Sequence, residues 1–215
     1  MVSLHDLTVL EPLALPIVEC LLLGYIFGSV PSGLWIVQAL HHIDIREYGS
    51  HNIGSTNVFR TVGARTAALV LFSDAFKGIV ACFIANYLFH MNFLTVICAI
   101  GTILGHNYSL FLGLKGGKGV ATGLGLLIYL MPDVCAISLA VWGVIVFFTR
   151  YVSLASIAAA AIGPFLGWYL HYPRSYIALS AICGLFIIIR HKENILRLIH
   201  GTESKIKMGN PKKFK

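Results

Sequence analysis

The sequence predicts an all-α integral membrane protein, and three observations carry that reading. Of its 215 residues, 57% are hydrophobic and only 12% are charged, and the mean hydropathy of +0.81 is far above that of a soluble domain. Apolar runs of spanning length fill most of the chain. The basic residues gather on one side of those runs once they are laid out in order.

Seven apolar stretches follow one another, at roughly 17–40, 66–86, 93–112, 119–131, 134–149, 154–171 and 176–190. The first is expected to be a retained span. Residues 1–16 hold Asp6 and Glu11 but no Lys or Arg, so the basic start of a secretory leader is missing. Residues 120–148 form one apolar run broken only by Met131-Pro132-Asp133. A single helix of that length would measure about 43 Å against a hydrocarbon core of about 30 Å. Pro-Asp suits a tight turn, so two short spans, the fourth and fifth, are expected there.

In this layout 14 of the 16 Lys and Arg share one face: Arg46, Arg60, Arg65, Lys115, Lys118, Arg150, Arg190, Lys192, Arg197 and the five lysines of the tail. Arg174 falls opposite, and Lys77 lies inside the second span with Asp74, where an i, i+3 pair lowers the cost of burying either. The expected architecture is therefore seven transmembrane helices, N-terminus outside and C-terminus cytoplasmic, with the active-site loops on the cytoplasmic face. Residues 1–205 are expected to form a single polytopic membrane domain, and residues 206–215 a basic cytoplasmic tail touching anionic headgroups.

Composition excludes several functions. The net charge of +7 borders apolar runs instead of coating a solvated domain, which argues against nucleic acid as a partner. Cys20, Cys82, Cys98, Cys135 and Cys183 all lie in apolar runs with no Cys-x-x-Cys pair, and read as small hydrophobes. Neither His nor carboxylate spacing suits a metal, so no metal and no cofactor are expected. There is no long internal repeat to support an inverted-repeat transporter.

The polar density lies in four places on the predicted cytoplasmic face. Residues 46–60, from Arg46 through Ser50, Asn52 and Asn57 to Arg60, form a loop of many hydrogen-bond donors and little bulk, which suits a polyol phosphate as well as an ordinary turn. The second place is the cationic loop Lys115-Gly116-Gly117-Lys118-Gly119. Glycines let N–H groups converge on an anion and a lysine adds full charge. It is not a Walker A loop, which would need Gly at 112 and Ser or Thr at 119 where the chain has Leu112 and Gly119. It is not a dinucleotide fingerprint, because Thr122 stands where Gly or Ala is required. What remains is a glycine turn opening the next span, whose free N–H groups can hold a phosphate, or else a small-residue loop with snorkelling lysines. The third and fourth places are Arg150-Tyr151-Val152-Ser153 and Arg190-His191-Lys192-Glu193-Asn194.

Taken together these blocks resemble one bacterial family, the acyl-phosphate-dependent glycerol-3-phosphate acyltransferases (PlsY). The resemblance rests on Gly28-Ser29-Val30-Pro31-Ser32-Gly33, Gly49-Ser50-His51-Asn52-Ile53-Gly54-Ser55-Thr56-Asn57, Gly105-His106-Asn107-Tyr108, Gly116-Gly117-Lys118-Gly119-Val120-Ala121-Thr122, Arg150-Tyr151-Val152-Ser153-Leu154-Ala155-Ser156 and Arg190-His191-Lys192-Glu193-Asn194-Ile195. It runs from about residue 20 to 203, and His51 stands where the family often has a small residue. It implies a seven-span enzyme of the bacterial inner membrane that moves an acyl group from acyl phosphate to the sn-1 hydroxyl of glycerol-3-phosphate. The products would be lysophosphatidic acid and phosphate, in phospholipid synthesis.

Carried onto matching positions, the resemblance implies that Ser50, Lys118, His191 and Asn194 are catalytic. It implies that Asn52, Asn57, Arg60, Gly116, Gly117, Gly119 and Ser153 bind substrate, the glycines holding the acyl phosphate. The chemistry agrees, because an acyl phosphate is already activated and needs only alignment and electrostatic stabilisation. The fork of Arg60 suits the phosphate of glycerol-3-phosphate. The donor's own phosphate can take the hydroxyl proton, with His191 as the rival base. No histidine of the nine is followed five positions on by Asp, the pattern of many thioester-dependent acyltransferases. Two rivals remain: the same site with acyl-CoA or acyl carrier protein as donor, and a small transporter of an anionic metabolite.

Overall fold

The computed structural model describes residues 4–206, with side chains from residue 13 onward; the tail beyond Ile206 lies outside the described residues. The regular elements of the described residues are helices, without a strand; the α-helices are α1 (Leu4–Ser29), α2 (Ser32–His41), α3 (Ser55–Thr61), α4 (Ala64–Phe89), α5 (Asn92–Asn107), α6 (Val120–Leu130), α7 (Pro132–Thr149), α8 (Val152–Tyr169), α9 (Arg174–Arg190) and α10 (Lys192–Ile199). Large apolar side chains face outward, Phe147 and Phe148 being 72% and 78% exposed, as lipid-facing positions of a membrane bundle are.

The fourth and fifth apolar stretches are separate helices. Pro132 opens α7, where its missing N–H costs nothing, and α6 ends at Leu130. The first stretch is one candidate span, Leu13–His41, in line with the run expected over 17–40, although its helix is interrupted. It breaks between Ser29 and Ser32 around Pro31, because proline gives no N–H to the helix ladder and clashes with the preceding turn. The carbonyl of Val30 at this break is not left bare: Lys77 Nζ donates to it at 2.8 Å. Lys77 also pairs with Asp74 Oδ1 at 2.8 Å, both side chains buried. The pair expected from their spacing is thus a tie between α4 and the α1–α2 break.

Five helical segments among the described residues are long and apolar enough to cross a membrane, and a sixth is counted if α9 and α10, bent by 58°, form one span. α6 has 11 residues, about 16 Å of rise against a core of about 30 Å. It is a short apolar helix, about half that thickness.

Helix contacts rely on absent side chains, as expected where lipid offers no hydrophobic drive and close backbone approach supplies the attraction. α1 and α5 meet through Gly24 and Gly28 on one side and Gly101 and Gly105 on the other. A Cβ at Gly28 would lie 2.9 Å from Thr102 Cα, and one at Gly105 would lie 2.8 Å from Ser29 N. α4 and α6 meet in the same way, since a Cβ at Gly78 would press on Thr122 O at 2.9 Å. α4 packs on α5 as well as on α6, so the glycine loop joins two helices held against the same neighbour. The main core lies below the loop, where Ile103, Leu126, Met131, Val134, Leu166 and Leu179 come together. All five cysteines are free and buried.

Candidate active site

The cationic glycine loop folds back onto the end of α5. Gly116 N donates to Asn107 O at 3.1 Å and Gly117 N to His106 O at 3.0 Å. From α9, Arg190 donates Nε to Gly117 O at 3.2 Å and Nη2 to Gly116 O at 3.0 Å. Both peptide groups of the pair are therefore spent on the protein. Gly116 and Gly117 do not line the cavity described below; these glycines serve close packing. A Cβ at Gly117 would lie 2.9 Å from His106 Cε1, and one at Gly116 would lie 2.8 Å from Asn107 O. Gly119 takes φ 82° to turn the chain into α6, a conformation open to glycine at little cost. The first N–H groups of α6 have no partner in their own helix, and they are the backbone donors left for an anion.

Lys118, between the two glycine turns, reaches into the cavity. Its Nζ donates to Asn194 Oδ1. Asn194 Nδ2 donates to Glu203 Oε1 at 2.8 Å, and Ser153 Oγ donates to the same oxygen at 2.7 Å. Glu203 Oε2 takes Arg197 Nε at 2.7 Å. A relay of Lys118, Asn194, Glu203, Ser153 and Arg197 thus joins the glycine loop, α8, α10 and the chain after α10. Burial pushes the Glu203 carboxyl up, but the bonds from Asn194, Ser153 and Arg197 outweigh it and hold the group below its ordinary value. Burial and the nearby Arg197 charge bring Lys118 down to about 8, with Glu203 acting in the opposite direction.

His191 is buried at the bend after α9. Its Nδ1 lies 2.7 Å from Ile187 O, so Nδ1 carries the proton and Nε2 keeps a lone pair for a hydroxyl donor. Burial and the charge of Lys118 lower it to about 4. At neutral pH it is an uncharged acceptor and a weak base.

The polar loop before α3 forms the opposite wall. Asn57 is 2% exposed; its Nδ2 donates to Tyr48 O and Asn52 O at 3.0 and 2.9 Å, and its Oδ1 accepts from Ser50 N at 2.9 Å. Asn52 Oδ1 accepts from Gly54 N at 2.8 Å. Asn57 therefore spends its amide on the shape of the loop, and Ser50 keeps its hydroxyl for the cavity. Arg60 Nη2 donates to Ser204 O at 2.8 Å, while Nε is buried without a partner. An unpaired buried donor of this kind is costly and suits an anionic ligand.

These groups surround one cavity of about 280 Å³. Ser50, Asn52, Asn57, Arg60, Lys118, Gly119, Ser153, His191 and Asn194 all line it, as does Glu203. Its other end runs between α6, α8 and α9 past Leu127, Ala160 and Leu179 to Met131. Among the described residues no three His, Cys, Asp or Glu side chains come together to hold a metal.

Sequence reasoning missed Glu203, which was visible only as one acid in a basic stretch, and the support beneath the glycine loop. His106 Nδ1 lies 3.1 Å from Thr122 Oγ1 and 3.8 Å from Asp74 Oδ1. The Asp74–Lys77 pair and His106 thereby form a buried base on which Gly117 rests.

A charged mouth above an apolar groove, inside a helical membrane bundle, defines the class: an integral membrane protein with a site for a molecule that is part anion and part hydrocarbon. The chain belongs to the glycerol-3-phosphate acyltransferase family, whose model matches residues 18–201. A glycerol-3-phosphate acyltransferase of Fusobacterium nucleatum is 43% identical over 187 residues, 87% of this chain and 96% of that protein. One of Synechocystis is 40% identical over 205 residues, covering 90% and 92%. The crystal structure of PlsY, an integral membrane glycerol 3-phosphate acyltransferase, in its glycerol 3-phosphate form matches with a TM-score of 0.84. The two are 36% identical over 89% of this chain and 96% of that one. Its lysophosphatidic acid form matches with a TM-score of 0.82 at 35% identity, covering 89% and 95%. The protein is a multi-pass glycerol-3-phosphate acyltransferase of phospholipid synthesis.

Proposed function

We propose that the donor is acyl phosphate and that the acyl group goes to the sn-1 hydroxyl of glycerol-3-phosphate. The observation that carries this reading is the single cavity in which Lys118 and the start of α6 stand at the head of an apolar groove. A donor whose reacting carbonyl joins a phosphate directly to an acyl chain fits that junction. The absence of a His-x-x-x-x-Asp pattern points the same way.

In this mechanism Lys118 and the N–H groups opening α6 hold the donor's phosphate, and Arg60 takes the phosphate of glycerol-3-phosphate. Ser50, Ser153 and Asn194 orient the acceptor, and His191 Nε2 accepts a hydrogen bond from it. The acceptor oxygen attacks the acyl carbon, and the bond from that carbon to the phosphate oxygen breaks. The electron pair leaves with phosphate, which also takes the hydroxyl proton. A histidine held near 4 by burial is a poor base at neutral pH, which favours phosphate as the acceptor of that proton. Asn52 and Asn57 shape the acceptor wall, and Gly116 and Gly117 the base of the donor site.

The same reading assigns seven spans, α6 being a short one, with the N-terminus outside and the loops and C-terminus in the cytoplasm of a bacterial inner membrane. Residues 1–205 are one polytopic domain and 206–215 a basic tail on anionic headgroups. The supporting observation is the one-sided distribution of Lys and Arg.

Purified protein in lipid, given labelled glycerol-3-phosphate with palmitoyl phosphate, palmitoyl-CoA or palmitoyl carrier protein in separate reactions, tests the donor. Lysophosphatidic acid from acyl phosphate alone is expected. Product from a thioester instead overturns the donor assignment.

A further inference from the structure

The apolar part of the cavity has a defined lower end. α6 lines it from Val120 to Leu130, and this helix rises about 16 Å, close to the depth of one leaflet of a core about 30 Å thick. Below it the chain turns at Met131, which is 1% exposed and lines the cavity. A Cβ at Gly167 on α8 would lie 2.6 Å from Met131 Cε, so the methionine methyl rests on a glycine with no free space between. Leu130, Leu179 and Tyr176 also line the cavity at this level and pack in the same cluster as Met131. Higher on α8 the lining is small, with Ala159, Ala160 and Gly163 leaving room for a chain.

We propose that Met131, seated on Gly167 with Leu130, Leu179 and Tyr176 about it, is the floor of the acyl groove and limits the length of acyl chain transferred. The proposal rests on the acyl-transfer reading above. A chain that ends at the floor fills the groove; a longer one meets the Met131 thioether, and a shorter one leaves a void. Either mismatch in an apolar pocket is worth about tenfold or more in discrimination.

The test is an internal competition among lauroyl, palmitoyl and arachidoyl phosphates in one reaction, with products counted by mass spectrometry. Product ratios do not depend on how much enzyme is folded. Met131→Ala deepens the groove and should raise the arachidoyl-to-palmitoyl ratio about tenfold or more. Ala160→Phe blocks it partway and should raise the lauroyl-to-palmitoyl ratio by a similar factor. If one variant makes no product, the other decides. Wild-type ratios in both variants, with transfer intact, overturn the floor and leave the acyltransferase reading standing. Wild-type enzyme that transfers no chain from any of these donors overturns the donor reading, and the floor with it.

Discussion

Glu203→Gln isolates the relay that the fold builds around Lys118. Glutamine keeps the size of the side chain but replaces one acceptor oxygen with an NH2 group. One edge of the side chain accepts from Ser153 and Asn194, the other from Arg197. Whichever way the amide turns, one edge then sets a donor against a donor. The loss is one charge-assisted hydrogen bond, about 1.5–3 kcal/mol, or about 10- to 150-fold in kcat/KM. Glu203 acts here as a positioning residue, so the pH profile matters as much as the rate. Its charge raises Lys118 against the burial that lowers that lysine to about 8. In the proposed mechanism the charged lysine binds phosphate below its pKa and loses this role as pH rises through it. Removing Glu203 therefore lowers the Lys118 pKa further and moves the alkaline limb of kcat/KM to lower pH. The assay is phosphate release from palmitoyl phosphate with saturating glycerol-3-phosphate over a range of pH, with melting in detergent as a check on folding. Wild-type turnover, or a loss with an unmoved alkaline limb in a folded variant, refutes the relay.

Lys118→Ala should leave an inserted, folded protein with turnover reduced about 10²- to 10³-fold, the scale of a lost transition-state donor; near-normal turnover would show that the loop lysine does not meet the reacting phosphate. Lys118→Arg should retain part of that turnover and abolish the alkaline limb near 8, because a guanidinium stays charged. Gly117→Ala should raise KM for the donor more than for glycerol-3-phosphate, since its methyl would drive the loop off the His106 ring; steady-state kinetics with each substrate varied reads the difference. Asp74→Leu should destabilise the protein by about 3–5 kcal/mol by stranding Lys77, whereas the double variant Asp74→Leu/Lys77→Met should recover much of the loss. Thermal inactivation in detergent compares the two.

The residues that line the cavity were largely legible as candidates because their types sit where hydropathy changes. Ser50, Arg60, Lys118, Ser153, His191 and Asn194 all fall in the polar segments between or after apolar runs, and all line one cavity. Two assignments changed meaning. Asn57 turned out to spend its amide on the loop, and Gly116 and Gly117 to spend their N–H groups on α5. Pattern alone cannot tell a glycine that exposes its N–H from one that admits a neighbouring ring, since both need only the absence of Cβ.

The sequence by itself determined the membrane class and the turn at Met131-Pro132, because each follows from the transfer energy or backbone chemistry of a single segment. The tertiary structure alone decided that the first apolar stretch breaks at Pro31 with Lys77 on its freed carbonyl. It also decided that Gly117 rests on His106, and that Glu203 completes the site. Lys118 and Asn194 are 76 residues apart, and Ser153 and Glu203 are 50 apart. Such bonds are set by how the helices pack, here by backbone contact at Gly28, Gly78 and Gly105. The strength of a buried hydrogen bond depends on distances that local composition does not encode.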